Sequence, residues 1–179
     1  MTAKATASAT TQPTHSAREV ARSGGRAALL PYGVAALSLV AAFVHLWVTP
    51  EHFEQWWGYG TFFMCCALAQ GLLAVGVLRW PGSRLFSLSG IAGNLLVVAL
   101  YVISRTWGMP LGPDLVLFSP DVAHLEDPEL LGMAATAAEV GIMVGLTALL
   151  EGAYRRWVVN FLLLAGAAFW AARILGLLP

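Results

Sequence analysis

Apolar residues recur along this chain in runs of about twenty, each roughly the length a helix needs to cross the hydrocarbon core of a bilayer. The runs cover residues 27–48, 59–78, 85–104, 128–150 and 157–178. Lipid offers backbone N–H and C=O groups no partners, so each run must satisfy its own and be helical. The pattern therefore predicts an all-α integral membrane bundle of five transmembrane helices, a four-helix core plus a C-terminal helix. The domain they form is 27–179.

Polar punctuation sets the boundaries. Arg79, Trp80 and the Pro81-Gly82 turn end the second run, and Arg105 stops the third. Residues 105–127 contain Pro110, Pro113 and Pro120 and cannot be one continuous helix. Asp127 then caps a new helix with Pro128 in its first turn. Residues 1–26 are rich in Ala, Ser and Thr and lack apolar periodicity, which predicts a disordered tail with helical character only near 17–22. The first run is too long for the apolar core of a signal peptide, and no small-residue cleavage site precedes the aromatic segment after it, so it reads as a retained span.

That aromatic segment, HLWVTPEHFEQWWGYG at 45–60, closes the first span. Thr49 can cap a short helix and Pro50 suits its first turn. At about 100° per residue, Phe53, Trp56 and Trp57 share one side while Glu51, Glu54 and Gln55 share the other. The segment reads as an interfacial amphipathic helix, anchored at headgroup level by Phe53, Trp56, Trp57 and Tyr59.

Composition agrees. The 179 residues are 58% hydrophobic and 11% charged, where a soluble domain carries about a quarter charged. Net charge is zero, but the charges are sorted. Lys4, Arg18, Arg22, Arg26, Arg79, Arg84, Arg155 and Arg156 fall on one side of a five-span topology. The other side has Arg105 alone and carries Glu51, Glu54, Asp114, Asp121, Glu126, Asp127 and Glu129. The positive-inside rule places the N-terminus in the cytoplasm and the C-terminus outside, in a bacterial cytoplasmic membrane. No basic face suggests nucleic acid. Cys65 and Cys66, adjacent within an apolar run, form no disulfide framework and read as buried packing residues.

An ionisable side chain in hydrocarbon is disfavoured by roughly 2.5–3.5 kcal/mol, so each calls for a reason. Counted inward from the outer end of its span at about 1.5 Å per residue, His45 lies about 6 Å deep, Arg173 about 8 Å, Glu139 about 14 Å and Gln70 about 15 Å. Arg173 is close enough to the chain end to snorkel. Glu139 is too deep for that. His45, Tyr101, Glu139 and Arg173 come from four different helices and all occupy the outer half, at depths that permit a single cluster, and Asn94 sits near mid-span. Small and polar positions form stripes: Ser38, Ala41, Ala42 and His45 on the first helix; Ser87, Gly90, Asn94, Tyr101 and Arg105 on the third; Thr136, Glu139 and Met143 on the fourth. Such stripes are expected to face inward, with Gln70 and Asn94 hydrogen-bonding across helices. The candidate polar site is thus His45, Glu51, His52, Asn94, Tyr101, Arg105 and Glu139.

His45, His52 and His124, with the outer carboxylates and Met109 or Met133, are candidate ligands for a divalent metal. Their spacing matches no HExxH or comparable motif. No second histidine stands at the depth of His45, which argues against haem. Neither a Ser-His-Asp set, a P-loop nor a dinucleotide fingerprint is present, so hydrolysis and phosphoryl transfer have no support.

The runs His45-x5-Glu51-His52-Phe53 and Trp56-Trp57-Gly58-Tyr59-Gly60, then Gly93-Asn94 leading to Ser104-Arg105-Thr106-x-Gly108-x-Pro110-x-Gly112-Pro113, and Glu139, resemble a group of small polytopic membrane proteins of high-GC bacteria. The resemblance covers roughly 44–150. It implies the architecture and, since the group has no assigned activity, no chemistry. Where such proteins often carry an acid early in the fourth span, this chain has Met133, Ala134 and Ala135.

With no catalytic motif, the residues read as a structural or accessory subunit of a membrane complex rather than an enzyme, docking a membrane-protein partner or a second copy. The alternative is an outer-half site for a metal ion, a proton or a quinone-like ligand, using His45, Tyr101 and Glu139 under the aromatic helix. A solute carrier would show paired broken helices and internal symmetry, which are absent from the sequence pattern. The orientation is directly testable with Cys65 and Cys66 replaced by serine. A membrane-impermeant thiol reagent should label a cysteine at Glu54 in intact cells and one at Gly82 only after lysis.

Overall fold

The computed structural model describes residues 15–106 and 130–176. The chain divides into two units, 1–30 and 31–179. The first contributes helical backbone from His15 onward, inside the stretch expected to be a tail; the helix bundle belongs to the second. The described residues form five helices: α1 (His15–Gln55), α2 (Trp57–Arg79), α3 (Arg84–Thr106), α4 (Leu130–Leu149) and α5 (Gly152–Ile174). Each contains a stretch long and apolar enough to cross a membrane, and no strand occurs among the described residues.

The aromatic segment departs from expectation. Residues 49–55 are not a separate helix but the last turns of α1, which runs through Pro50. Side-chain donors gather on the carbonyls around the position whose N–H proline lacks: Thr49 Oγ donates to the His45 carbonyl at 2.7 Å and His52 Nδ1 to that of Val48 at 2.8 Å. Thr49 therefore bonds backward instead of capping. The chain breaks at one residue, Trp56, which is extended at φ −166°, ψ 137°, and α2 starts immediately after it. A Cβ at Gly58 or Gly60 would run into the rings of Trp56 and Phe53, which lie flat on the start of α2. The break also splits the expected aromatic face: Trp57 is 68% exposed while Trp56 is half-buried, because the 100° rotation stops where the helix does.

Inward stripes appear on α1, α3 and α4. Ser38, Ala41 and His45 are buried, as are Ser87, Asn94, Glu139 and Met143. Around them packs a core that includes Val34, Leu73, Val77, Ile91, Ile142 and Leu146. Cys66 is buried, but Cys65 is exposed rather than packed. Helix α5 contributes Val158 alone to the buried set.

The α1–α4 contact fixes the heights at which side chains of the two helices meet. Leu37 lies against Gly141, where a Cβ would come within 2.8 Å of its Cδ1, and Val34 lies against Gly145. Numbers rise on one helix as they fall on the other, facing pairs summing to 178 or 179, so the two are antiparallel in this register. A methyl at Gly145 would collide with the stiff, buried Val34 side chain. Gly145→Ala should thus destabilise the protein by about 1–3 kcal/mol. Adding Val34→Ala should recover part of that loss, as read by unfolding midpoints in detergent.

Candidate functional site

Two polar layers cross the helices. The deeper one is closed. Ser38 Oγ sits 2.8 Å from the Gln70 carbonyl and 2.7 Å from Gln70 Oε1, and Gln70 Nε2 donates to Asn94 Oδ1 at 2.9 Å. Asn94 Nδ2 then donates to the Gly90 carbonyl at 2.8 Å. Small side chains on α1 and long amides on α2 and α3 reach one another because all three positions face inward. Asn94 is thereby committed to helix packing and stands outside the cavity above.

The second layer is held by His45 Nε2 and Glu139 Oε1, 2.9 Å apart. By the α1–α4 register, the His45 backbone is level with residues 133–134. It is offset from that of Glu139 by about 8 Å. The gap closes because every Cα–Cβ bond leans toward its own helix N-terminus. On antiparallel helices the two long side chains therefore reach toward each other. His45 is 4% exposed and Glu139 1%.

This pair lies at the edge of a cavity of about 490 Å³ between the end of α1, the start of α2, the end of α3 and the start of α4. Val44, Val48, Phe62, Phe63, Val97 and Leu100 make much of its wall apolar. His45, Glu51, His52, Tyr101, Arg105 and Glu139 all line it, so six of the seven expected site residues share one space. The ring of Tyr101 packs on α4 at Gly132, 3.0 Å from where a Cβ would stand, and the Arg105 guanidinium lies 5.1 Å from the centre of that ring. Thr136 Oγ donates to the Gly132 carbonyl at 2.9 Å. Trp56 and Tyr59, expected as interface anchors, are also among the residues that line the cavity. Phe62, Phe63, Val44 and Val48 had no signal in sequence beyond being apolar.

No protein-family model, no curated protein and no solved structure matches the chain. The chemistry of the site must come from its geometry.

Among the described residues no three His, Cys, Asp or Glu side chains converge. His45 and His52 are seven residues apart on one helix, about 10 Å along its axis. The Phe63 ring packs against both, its centre 5.8 Å from that of His45 and 3.9 Å from that of His52. The expectations for Met109, Asp121, His124, Glu126 and Asp127 lie outside the described residues.

Two buried atoms on the cavity wall have no hydrogen-bond partner, His45 Nδ1 and Tyr101 Oη. A buried polar group without a partner is destabilising by about 1–3 kcal/mol, so the site is under-satisfied in a way the deeper layer is not. The His45–Glu139 pair should behave as a unit. Glu139→Leu should destabilise by about 1–3 kcal/mol by orphaning Nε2, and Glu139→Gln by less, since its amide can still pair with Nε2 as acceptor or donor. The double variant His45→Leu with Glu139→Leu should be milder than the sum of the singles in a denaturation cycle.

Proposed function

We propose that the protein is a polytopic membrane protein that binds a small amphiphile, quinone-like in shape, in the outer half of the bilayer. The observation that carries this reading is the largely apolar cavity with the buried His45–Glu139 pair and the Tyr101 hydroxyl on its wall. A cavity of a few hundred Å³, mainly hydrophobic, with few fixed polar groups has the design of a small-molecule site. Five helices of spanning length and the sorted charges support insertion in a bacterial cytoplasmic membrane with the N-terminus inside. The cavity then opens at the extracytoplasmic end, where the α1–α2 turn and the end of α3 lie. The hydrogen-bonded Ser38–Gln70–Asn94 layer lies deeper along the same helices and outside the cavity lining.

A second reading, an accessory subunit, draws on α5. Nearly every residue of α5 is exposed, and Asn160 places an exposed amide in the middle of an otherwise apolar stretch. In lipid such an amide favours a neighbouring helix from a membrane-protein partner or a second copy.

The cavity reading is tested by extracting purified wild type and an Ala135→Phe variant, whose ring would fill the space beside Ala135 on the wall. Mass spectrometry should find a stoichiometric amphiphile in the wild type and its loss in the variant. The same lipid background in both would overturn the reading.

A further inference from the structure

The two unpartnered wall atoms define what the head of the ligand must be. His45 and Glu139 are almost wholly buried, and a net charge in such a place is strongly disfavoured, so the pair is overall neutral. A neutral pair has three arrangements: imidazolium with carboxylate, neutral imidazole accepting at Nε2 from the carboxylic acid, or neutral imidazole donating from Nε2 to the carbonyl oxygen of the acid. In the first two, Nδ1 carries a hydrogen. His45 Nδ1 is buried and has no partner, and in those two arrangements it is a donor. The Tyr101 hydroxyl is a second donor in the same condition. Both residues line the same cavity, His45 from α1 and Tyr101 from α3, where its ring packs on Gly132 of α4.

We propose that the site takes a ligand by a carbonyl oxygen, which accepts from His45 Nδ1–H and Tyr101 Oη–H with its two lone pairs, while the apolar ring body lies against Val48, Phe63, Val97 and Leu100. The class is an apolar cyclic carbonyl compound, a quinone or an enone, and hydrocarbons of equal shape are rejected. Selection follows from the donors: an occupant without an acceptor leaves both desolvated and unpaired, whereas a carbonyl satisfies both. Glu139 is a positioning residue here, holding the imidazole by Nε2 so that Nδ1 stays free for the ligand. This assignment rests on the cavity being a ligand site, as proposed above.

Menadione and its shape analogue 2-methylnaphthalene are the probes, added to the full chain in lipid nanodiscs at equal mole fraction in the bilayer. The readout is the probe-dependent rise in unfolding temperature, with affinities taken from its concentration dependence. Menadione should bind about tenfold or more tighter than 2-methylnaphthalene. Tyr101→Phe keeps the ring on Gly132 and removes only the hydroxyl. His45→Gln places an amide near the Nε2 position, keeping a partner for Glu139 while deleting the Nδ1 donor. Each should weaken menadione about tenfold and leave 2-methylnaphthalene unchanged. If both probes bind alike and neither variant separates them, the carbonyl assignment falls and the cavity reading stands. If neither probe binds, or Ala135→Phe binds both as well as wild type does, the two fall together.

Discussion

The hydrogen bond between His45 and Glu139 is the contact on which the arrangement of the cavity depends. It joins the last third of α1 to the middle of α4, and it forms only because antiparallel helices aim their long side chains at one another. Parallel helices in the same contact would have tilted both side chains the same way. The register is set elsewhere, by Val34 and Leu37 seated on Gly145 and Gly141. Two glycines and the side chains seated on them therefore decide which functional groups meet.

Above and below that contact the molecule treats polar groups in opposite ways. The Ser38–Gln70–Asn94 layer is saturated by its own members and by backbone carbonyls, the expected economy for amides shut away from water. One helical register outward, the pair is engaged at Nε2 but not at Nδ1, and the neighbouring Tyr101 hydroxyl is idle. Identical packing rules apply to both layers. The difference is that one was closed by side chains of matching length and the other borders a space where His45 Nδ1 and Tyr101 Oη find no partner from the chain itself.

The α1–α2 junction shapes the other end of that space. A single extended residue, Trp56, reverses the chain, and the absence of Cβ atoms at Gly58 and Gly60 lets two aromatic rings lie on the new helix. Trp56 and Tyr59 then face the cavity, with ring centres 5.0 Å apart and planes nearly perpendicular, an edge-to-face pair. An aromatic cluster that composition alone assigns to a membrane surface is in part a wall.

Five helical runs, their approximate limits and the inward stripes on α1, α3 and α4 were legible in the residues, because apolar length and helical period are local properties. Depth estimates also put His45, Tyr101 and Glu139 in the outer halves of their spans, since rise per residue needs no partner. What local pattern could not supply was which helix sits against which, and at what offset. It took the α1–α4 register to turn an 8 Å difference in depth into a hydrogen bond, and the glycine-seated rings at the α1–α2 junction to swing Trp56 inward. Asn94 and His52 show the limit from the other side: each carries suitable chemistry, but Asn94 is bonded to Gln70 and His52 to its own helix. Residue type and depth are written along the chain. Pairing across helices is a property of the packed whole, because it depends on the shapes of residues that take no part in the chemistry.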